Sequence, residues 1–195
     1  MRDVYIIGVG QVPVREHWDL GLRELGTRAV RAALSDAHTE RVDCLLVGNM
    51  LASRLAGQDN LGTLIAGAAG LLPAEAWGVA AACASGGAAV RAAVLAVASG
   101  EHEVALGLGV EKMTDAPADE VTLALATASD QDTEAGMGFS FPAMAALIMR
   151  RYMHETGCSR EAFAPFAITA HENAASSEFA LFREPISARD FSDSA

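Results

Sequence analysis

Trp77-Gly78-Val79-Ala80-Ala81-Ala82-Cys83-Ala84-Ser85-Gly86-Gly87 is the stretch that decides the fold. The small apolar run from Trp77 to Ala82 has the length and flanks of a buried strand. It passes through Cys83 and a glycine pair into an alanine-rich helix expected from about Ala88 to Ser99, stopped by Gly100. Arg91 is the only charge on that helix, so it is apolar nearly all round and belongs between layers. A cysteine at such a junction puts its sulfur near a helix N-terminus. The dipole and free N–H groups there favour a thiolate and can receive an oxyanion developing on a thioester carbonyl. Ala84, Gly86 and Gly87 are the positions expected to give this support, and the two glycines leave room for a thin acyl chain. On spacing alone, an inert buried thiol explains position 83 as well as a nucleophile does.

Working outward, the chain alternates strand and helix signals through Met113. Val4–Val9 reads as a first strand and Cys44–Val47 as a second, and Val104–Val110 follows the cysteine-bearing unit. A helix is expected to open at Asp19 as N-cap, with Leu22, Leu25, Ala29 and Ala32 on one face and Arg23, Thr27 and Arg31 opposite. Glu24 and Arg28 form an i,i+4 pair on it. Another is expected to be capped by Asp59, with Leu61, Leu64, Ile65 and Ala68 as its stripe and Gly70 and Pro73 closing it. In the last strand Ala105, Gly107 and Gly109 make a small-residue face that a helix backbone can approach closely. Strand–helix–strand alternation with buried strands implies an α/β fold, a mainly parallel sheet with helices on both faces.

The character changes after Met113. Thr114–Glu134 is acidic and reads as a surface excursion with one short helix. Pro142 opens a helix whose Met144, Ile148 and Tyr152 share a face, and Gly157 ends it. Ser159 caps a further helical stretch that Pro165 must kink or restart, and from Ala174 the chain reads as loop.

The 195 residues carry a net charge of −11, with Lys112 the one lysine among 14 basic residues. Without a concentrated basic stripe, nucleic acid is not an expected partner. The apolar stretch Ala84–Ala98 is short and carries Arg91, so no membrane span is expected. Cys44, Cys83 and Cys158 lie far apart with no CxxC spacing, which argues against a disulfide framework and a zinc site; no metal is expected, and the default is a cytoplasmic protein with reduced thiols. Cys44 reads as core and Cys158 as structural or exposed. Among His17, His38, His102, His154 and His171, the last is the most notable, flanked by Glu172 and Asn173, although a solvated helix-end histidine explains it better.

Ala81–Gly86 with its alanine-rich helix resembles the nucleophile segment of the thiolases. Gly109-Val110-Glu111-Lys112-Met113 is similar to that family's glycine–x–glutamate–x–methionine stretch. Phe141–Met144, Arg150–Gly157 and His171–Phe182 resemble the loop domain of the branch related to sterol carrier protein thiolases. The resemblance implies a thiolase-like layered α/β fold, with residues 1–113 as an N-terminal domain lacking its last strand and 114–195 as a truncated loop domain. It implies that Cys83 carries an acyl group as a thioester during 3-ketoacyl-CoA formation or cleavage. Coenzyme A would then be substrate, with no cofactor, and Arg183, His171, Arg150 or Arg151 are the residues that could meet it. The family's second half supplies an activating histidine, an acid/base cysteine and an asparagine–histidine pair; no Gly-His-Pro, Cys-x-Gly or Asn-Glu motif occurs here. The chain alone is therefore expected to lack turnover, and to pair with a C-terminal thiolase half or form a homo-oligomer. Two other readings stay open: a thiolase-like aldolase subunit for steroid-CoA side chains, with a small acyl-CoA-binding partner, and a non-catalytic acyl- or lipid-binding scaffold.

Overall fold

Five residues, Cys44–Gly48, form β1, and every one of them is buried. In this computed structural model, which describes residues 2–194, β1 is the centre of a three-stranded parallel sheet. Its neighbours are β2 (Glu75–Val79) and β3 (Ala105–Gly109), in the order β2-β1-β3. The register aligns Cys44 with Glu75 and Ala105, and Gly48 with Val79 and Gly109.

Alternation along β1 divides the core in two. Leu45 and Val47 join Leu22, Val30, Leu61, Ile65 and Leu108 on one side, under α1 (Leu22–Asp36) and α2 (Leu61–Ala69). Cys44 and Leu46 join Ala89 and Ala93 on the other, under α3 (Ser85–Ser99). Travel from β1 to β2 runs one way across the sheet and from β2 to β3 the other. With one handedness of crossover, α2 and α3 must therefore lie on opposite faces. The expected small-residue face is used by α3: a Cβ on Gly107 would lie 2.8 Å from the Val90 Cα, and one on Gly109 3.1 Å from the Gly86 Cα.

Several local expectations are corrected. Val4–Val9 forms no strand. No strand among the described residues runs beside it, and Gly8 and Gly10 instead press on α1, where a Cβ on Gly10 would lie 2.3 Å from the Ala33 nitrogen. Tyr5 and Ile6 are consequently 76% and 82% exposed. Asp19 does not cap α1, whose N-cap is Gly21, and Asp59 does not cap α2, whose N-cap is Asn60 at φ 54°. Thr27 is buried rather than on the polar face, its hydroxyl donating back to the Arg23 carbonyl at 2.8 Å, while the Glu24–Arg28 pair forms at 3.0 Å. The third strand sits two residues earlier than expected and the helix after it starts three earlier, because a tight turn occupies Ala80–Ala84.

The helix expected to lie between layers is covered on one side among the described residues: Val90, Val94 and Leu95 are 40–48% exposed. By length and apolarity alone, Ala82–Ser99 would suffice to cross a membrane, since the turn adds apolar residues and one arginine is tolerated. Its small-residue side is occupied by the sheet.

The chain divides into two compact units, the first running up to Val12 and from Glu16 to Ala128, the second comprising Pro13–Arg15 and Ser129 onward. The first ends in α4 (Ala118–Ala126). In the second, Ser140 caps α5 (Phe141–Thr156), Gly157 ends it at φ 71°, and Pro165 sits in the first turn of α6 (Ala164–Ala175), a restart. The C-terminal stretch is not all loop. Ser187 and Asp190 form a reciprocal capping box on a short α7 (Ala188–Asp193), and Arg160 stacks over Phe191 at 5.2 Å.

Candidate active site

Between β2 and α3 the backbone turns within five residues, and Cys83 is at the turn. Ala82 adopts φ 48°, a left-handed conformation that costs a residue with a Cβ about 1 kcal/mol or more. Ser85 holds it there. Its buried hydroxyl accepts from the Ala81 N–H at 2.9 Å and donates to the Ala82 carbonyl at 2.6 Å. The Ala84 and Ser85 N–H groups close the same turn onto the Ala81 and Ala82 carbonyls, at 3.0 and 3.1 Å. Cys83 is left exposed on the outside of a rigid elbow, immediately before the Ala84 N-cap of α3.

Of the three positions expected to support an oxyanion, Ala84 has its N–H already engaged in the turn. The N–H groups of Gly86 and Gly87 donate to no carbonyl among the described residues and lie in the first turn of α3. Gly48 makes this approach of helix to sheet possible, since a Cβ there would fall 2.2 Å from the Ser85 carbonyl oxygen.

The elbow lies at the C-terminal edge of the sheet, beside β1. The chain leaving β1 crosses to the α2 face and the chain leaving β2 to the α3 face, so the two part at this point. A crevice of this kind at a topological switch is where open α/β sheets bind ligands. The floor is braced by two side chains. Asn49 donates from its backbone to Val79 at 3.3 Å and from Nδ2 to the Val110 carbonyl at 2.7 Å, linking all three strand ends. The Glu111 carboxylate accepts from Asn49 Nδ2 at 2.9 Å and from the Met50 and Leu51 N–H groups, each at 3.0 Å. Sequence reading passed over Ser85 and Asn49 and left Glu111 without a role. A serine two residues after the cysteine was the one available signal for Ser85; Asn49 and Glu111 meet across 62 residues, which no local pattern records.

The remaining candidates are elsewhere. Cys44 is buried under α3, and burial pushes its thiol pKa up. Cys158 is half-buried beyond α5. In the second unit, the His171 Nδ1–H donates to the Glu184 carbonyl at 2.9 Å and the ring stacks on Phe182 at 6.3 Å, a structural tie that leaves Nε2. Arg183 and Arg150 are exposed, and Arg151 pairs with Glu155 at 2.7 Å. Hollows of about 420 and 390 Å³ lie along the Leu147–Glu155 face of α5 and beside Leu71–Ala74, and neither includes Cys83.

Residues 4–193 match the family described as thiolase, N-terminal domain. The acetyl-CoA acetyltransferase of Methanothermobacter thermautotrophicus is 45% identical over 184 residues, 93% of this chain and 48% of that protein. That of Methanocaldococcus jannaschii is 45% identical over 186 residues, 93% of this chain and 46% of the relative. Among solved structures, the Ltp2-ChsH2(DUF35) aldolase superposes with a TM-score of 0.69 at 25% identity, covering 97% of this chain and 48% of its own. The chain thus spans about half the length of the curated relatives it matches. An elbow cysteine at the switch point of a parallel sheet and a family match across nearly the whole length lead to one assignment: this chain belongs to the thiolase family and corresponds to its N-terminal domain.

Proposed function

We propose that this chain carries the acyl-accepting half of a thiolase-type active site, with Cys83 as nucleophile toward an acyl-CoA. The observation that supports it most is the elbow: an exposed sulfur, a backbone held by Ser85, and the open N–H groups of Gly86 and Gly87 in the same helix turn. In the step proposed, the Cys83 thiolate adds to the thioester carbonyl, the oxygen takes up negative charge toward the helix N-terminus, and coenzyme A leaves as its thiolate. The product is an acyl-cysteine, and splitting a carbon–carbon exchange into two thioester steps is what covalent capture achieves.

The rest of the reading follows from it. Activation of Cys83 and the acid/base steps are assigned to a complementary thiolase half, in the same chain or a partner. The domain division at residues 113/114, homo-oligomerisation and a cytoplasmic setting are part of the same reading. Coenzyme A is substrate rather than cofactor, with Arg183 and His171 as the residues offered to it. Incubation with acetyl-CoA followed by intact-mass measurement tests the proposal. The expected result is a gain of one acetyl group in the wild type, enhanced by a complementary half and absent in Cys83→Ser. An acetyl gain that survives Cys83→Ser would overturn it.

The likeness to the Ltp2-ChsH2(DUF35) aldolase favours one second reading, an aldolase subunit acting on a CoA-linked substrate without using the cysteine. In that case a retro-aldol activity would persist in Cys83→Ser.

A further inference from the structure

The N-terminal edge of the sheet, opposite Cys83, brings together three side chains with metal-binding chemistry. Cys44 opens β1 and Glu75 opens β2, and the parallel register pairs them, so their side chains leave the same face side by side. His102 stands three residues before β3 and reaches the same place, its Nε2 2.9 Å from the Glu75 carboxylate. The Cys44 Sγ, a Glu75 carboxylate oxygen and a His102 ring nitrogen all lie within 4.8 Å of one another.

The histidine is not on a loose loop. Its N–H donates to the Ala96 carbonyl at 3.3 Å and its carbonyl accepts from the Arg2 guanidinium. Arg2 also pairs with Glu103 at 2.8 Å, and the Asp43 carboxylate accepts from the Glu103 and Val104 N–H groups at 3.0 and 2.9 Å. The loop is therefore pinned on both sides before any ligand arrives. The sulfur is buried, His102 is 16% exposed and Glu75 56%, so one side of the group opens to water.

We propose that Cys44, Glu75 and His102 form a three-ligand site for a divalent transition-metal ion of the zinc class, separate from the acyl-transfer elbow. One soft thiolate, one imidazole and one carboxylate suit such an ion, and the open side leaves a fourth position for water. Bond lengths of about 2.0–2.3 Å place neighbouring ligands of a tetrahedral ion about 3.3–3.8 Å apart. Entry of the ion thus requires the His102–Glu75 contact to widen by a few tenths of an ångström, which the exposed Glu75 side chain can absorb. The wide spacing of Cys44, Cys83 and Cys158 argued against zinc in the sequence, and Glu75 and His102 lie 31 and 58 residues beyond Cys44; strand register assembles the three ligands.

The test uses Cys83→Ser/Cys158→Ser protein, in which Cys44 is the sole thiol, stripped of metal and titrated with Co2+ under reducing conditions. The expected result is one equivalent bound with a thiolate-to-cobalt charge-transfer band in the near ultraviolet, displaced by Zn2+. Adding His102→Gln or Glu75→Gln, both partly exposed and tolerable to the fold, should weaken binding at least as much as the ~10–100-fold that outer-shell partners cost. Absence of the band at millimolar Co2+, or binding unaltered by His102→Gln, would overturn the proposal and leave a His102–Glu75 hydrogen bond beside a core thiol. Neither result depends on acylation of Cys83.

Discussion

Val4–Val9 and Cys44–Gly48 are apolar runs of nearly equal length, yet the second is wholly buried and the first carries Tyr5 and Ile6 in the open. The difference is not in the residues. β1 has a strand on each side and a helix layer on each face, whereas the N-terminal run lies along α1 with no ladder partner among the described residues. A strand is made by its neighbours, and apolarity only makes it available.

Mutations can break or sharpen this contrast. The largest effect is expected at Gly48→Val, whose branched side chain would occupy the position 2.2 Å from the Ser85 carbonyl. α3 must then lift from the sheet, at a cost of about 3 kcal/mol or more, and both denaturant midpoint and Cys83 alkylation rate should change. Next comes the direct pair. Leu46→Ala should cost about 2–5 kcal/mol in denaturant unfolding, against less than about 0.5 kcal/mol for Ile6→Ala. Equal costs would mean that the N-terminal run is core, and the contrast would fail.

Ser85→Ala removes two hydrogen bonds from the elbow while leaving its volume nearly unchanged, and should cost about 1–2 kcal/mol. A slower, less selective alkylation of Cys83 is expected with it, because Ala82 is no longer held at positive φ. The smallest effect concerns α7. The Ser187 hydroxyl and N–H hold the Asp190 carboxyl below the usual carboxylate range. A lowered folded-state pKa gives stability that is present above the ordinary carboxylate value and lost as pH falls through the folded one. Amide-exchange protection factors in α7, which remove the intrinsic pH dependence of exchange, should accordingly fall on acidification in the wild type and be insensitive to pH there in Asp190→Asn.

The α/β alternation, the small-residue face of β3 and the cysteine at the strand–helix junction were all legible in the chain, because each is a local pattern. Gly107 and Gly109 foretold a close helix, and α3 is there. Caps were less legible: Asp19 and Asp59 have the right chemistry, but Gly21 and Asn60 take those positions through backbone conformation alone. What escaped reading was long-range. The Asn49–Glu111 brace and the Cys44–Glu75–His102 group both depend on strand register, and α7 depends on a capping box in a stretch otherwise like loop.

Under the proposed function the elbow, rather than cysteine chemistry in general, makes position 83 the acyl acceptor. Peptide mapping after brief exposure to acetyl-CoA compares Cys44, Cys83 and Cys158 within one molecule and tests this most directly. Acetylation confined to the Cys83 peptide, labile to hydroxylamine and reduced in Ser85→Ala, is the expected result. Equal labelling of Cys158, or labelling of Cys83 indifferent to Ser85, would contradict it.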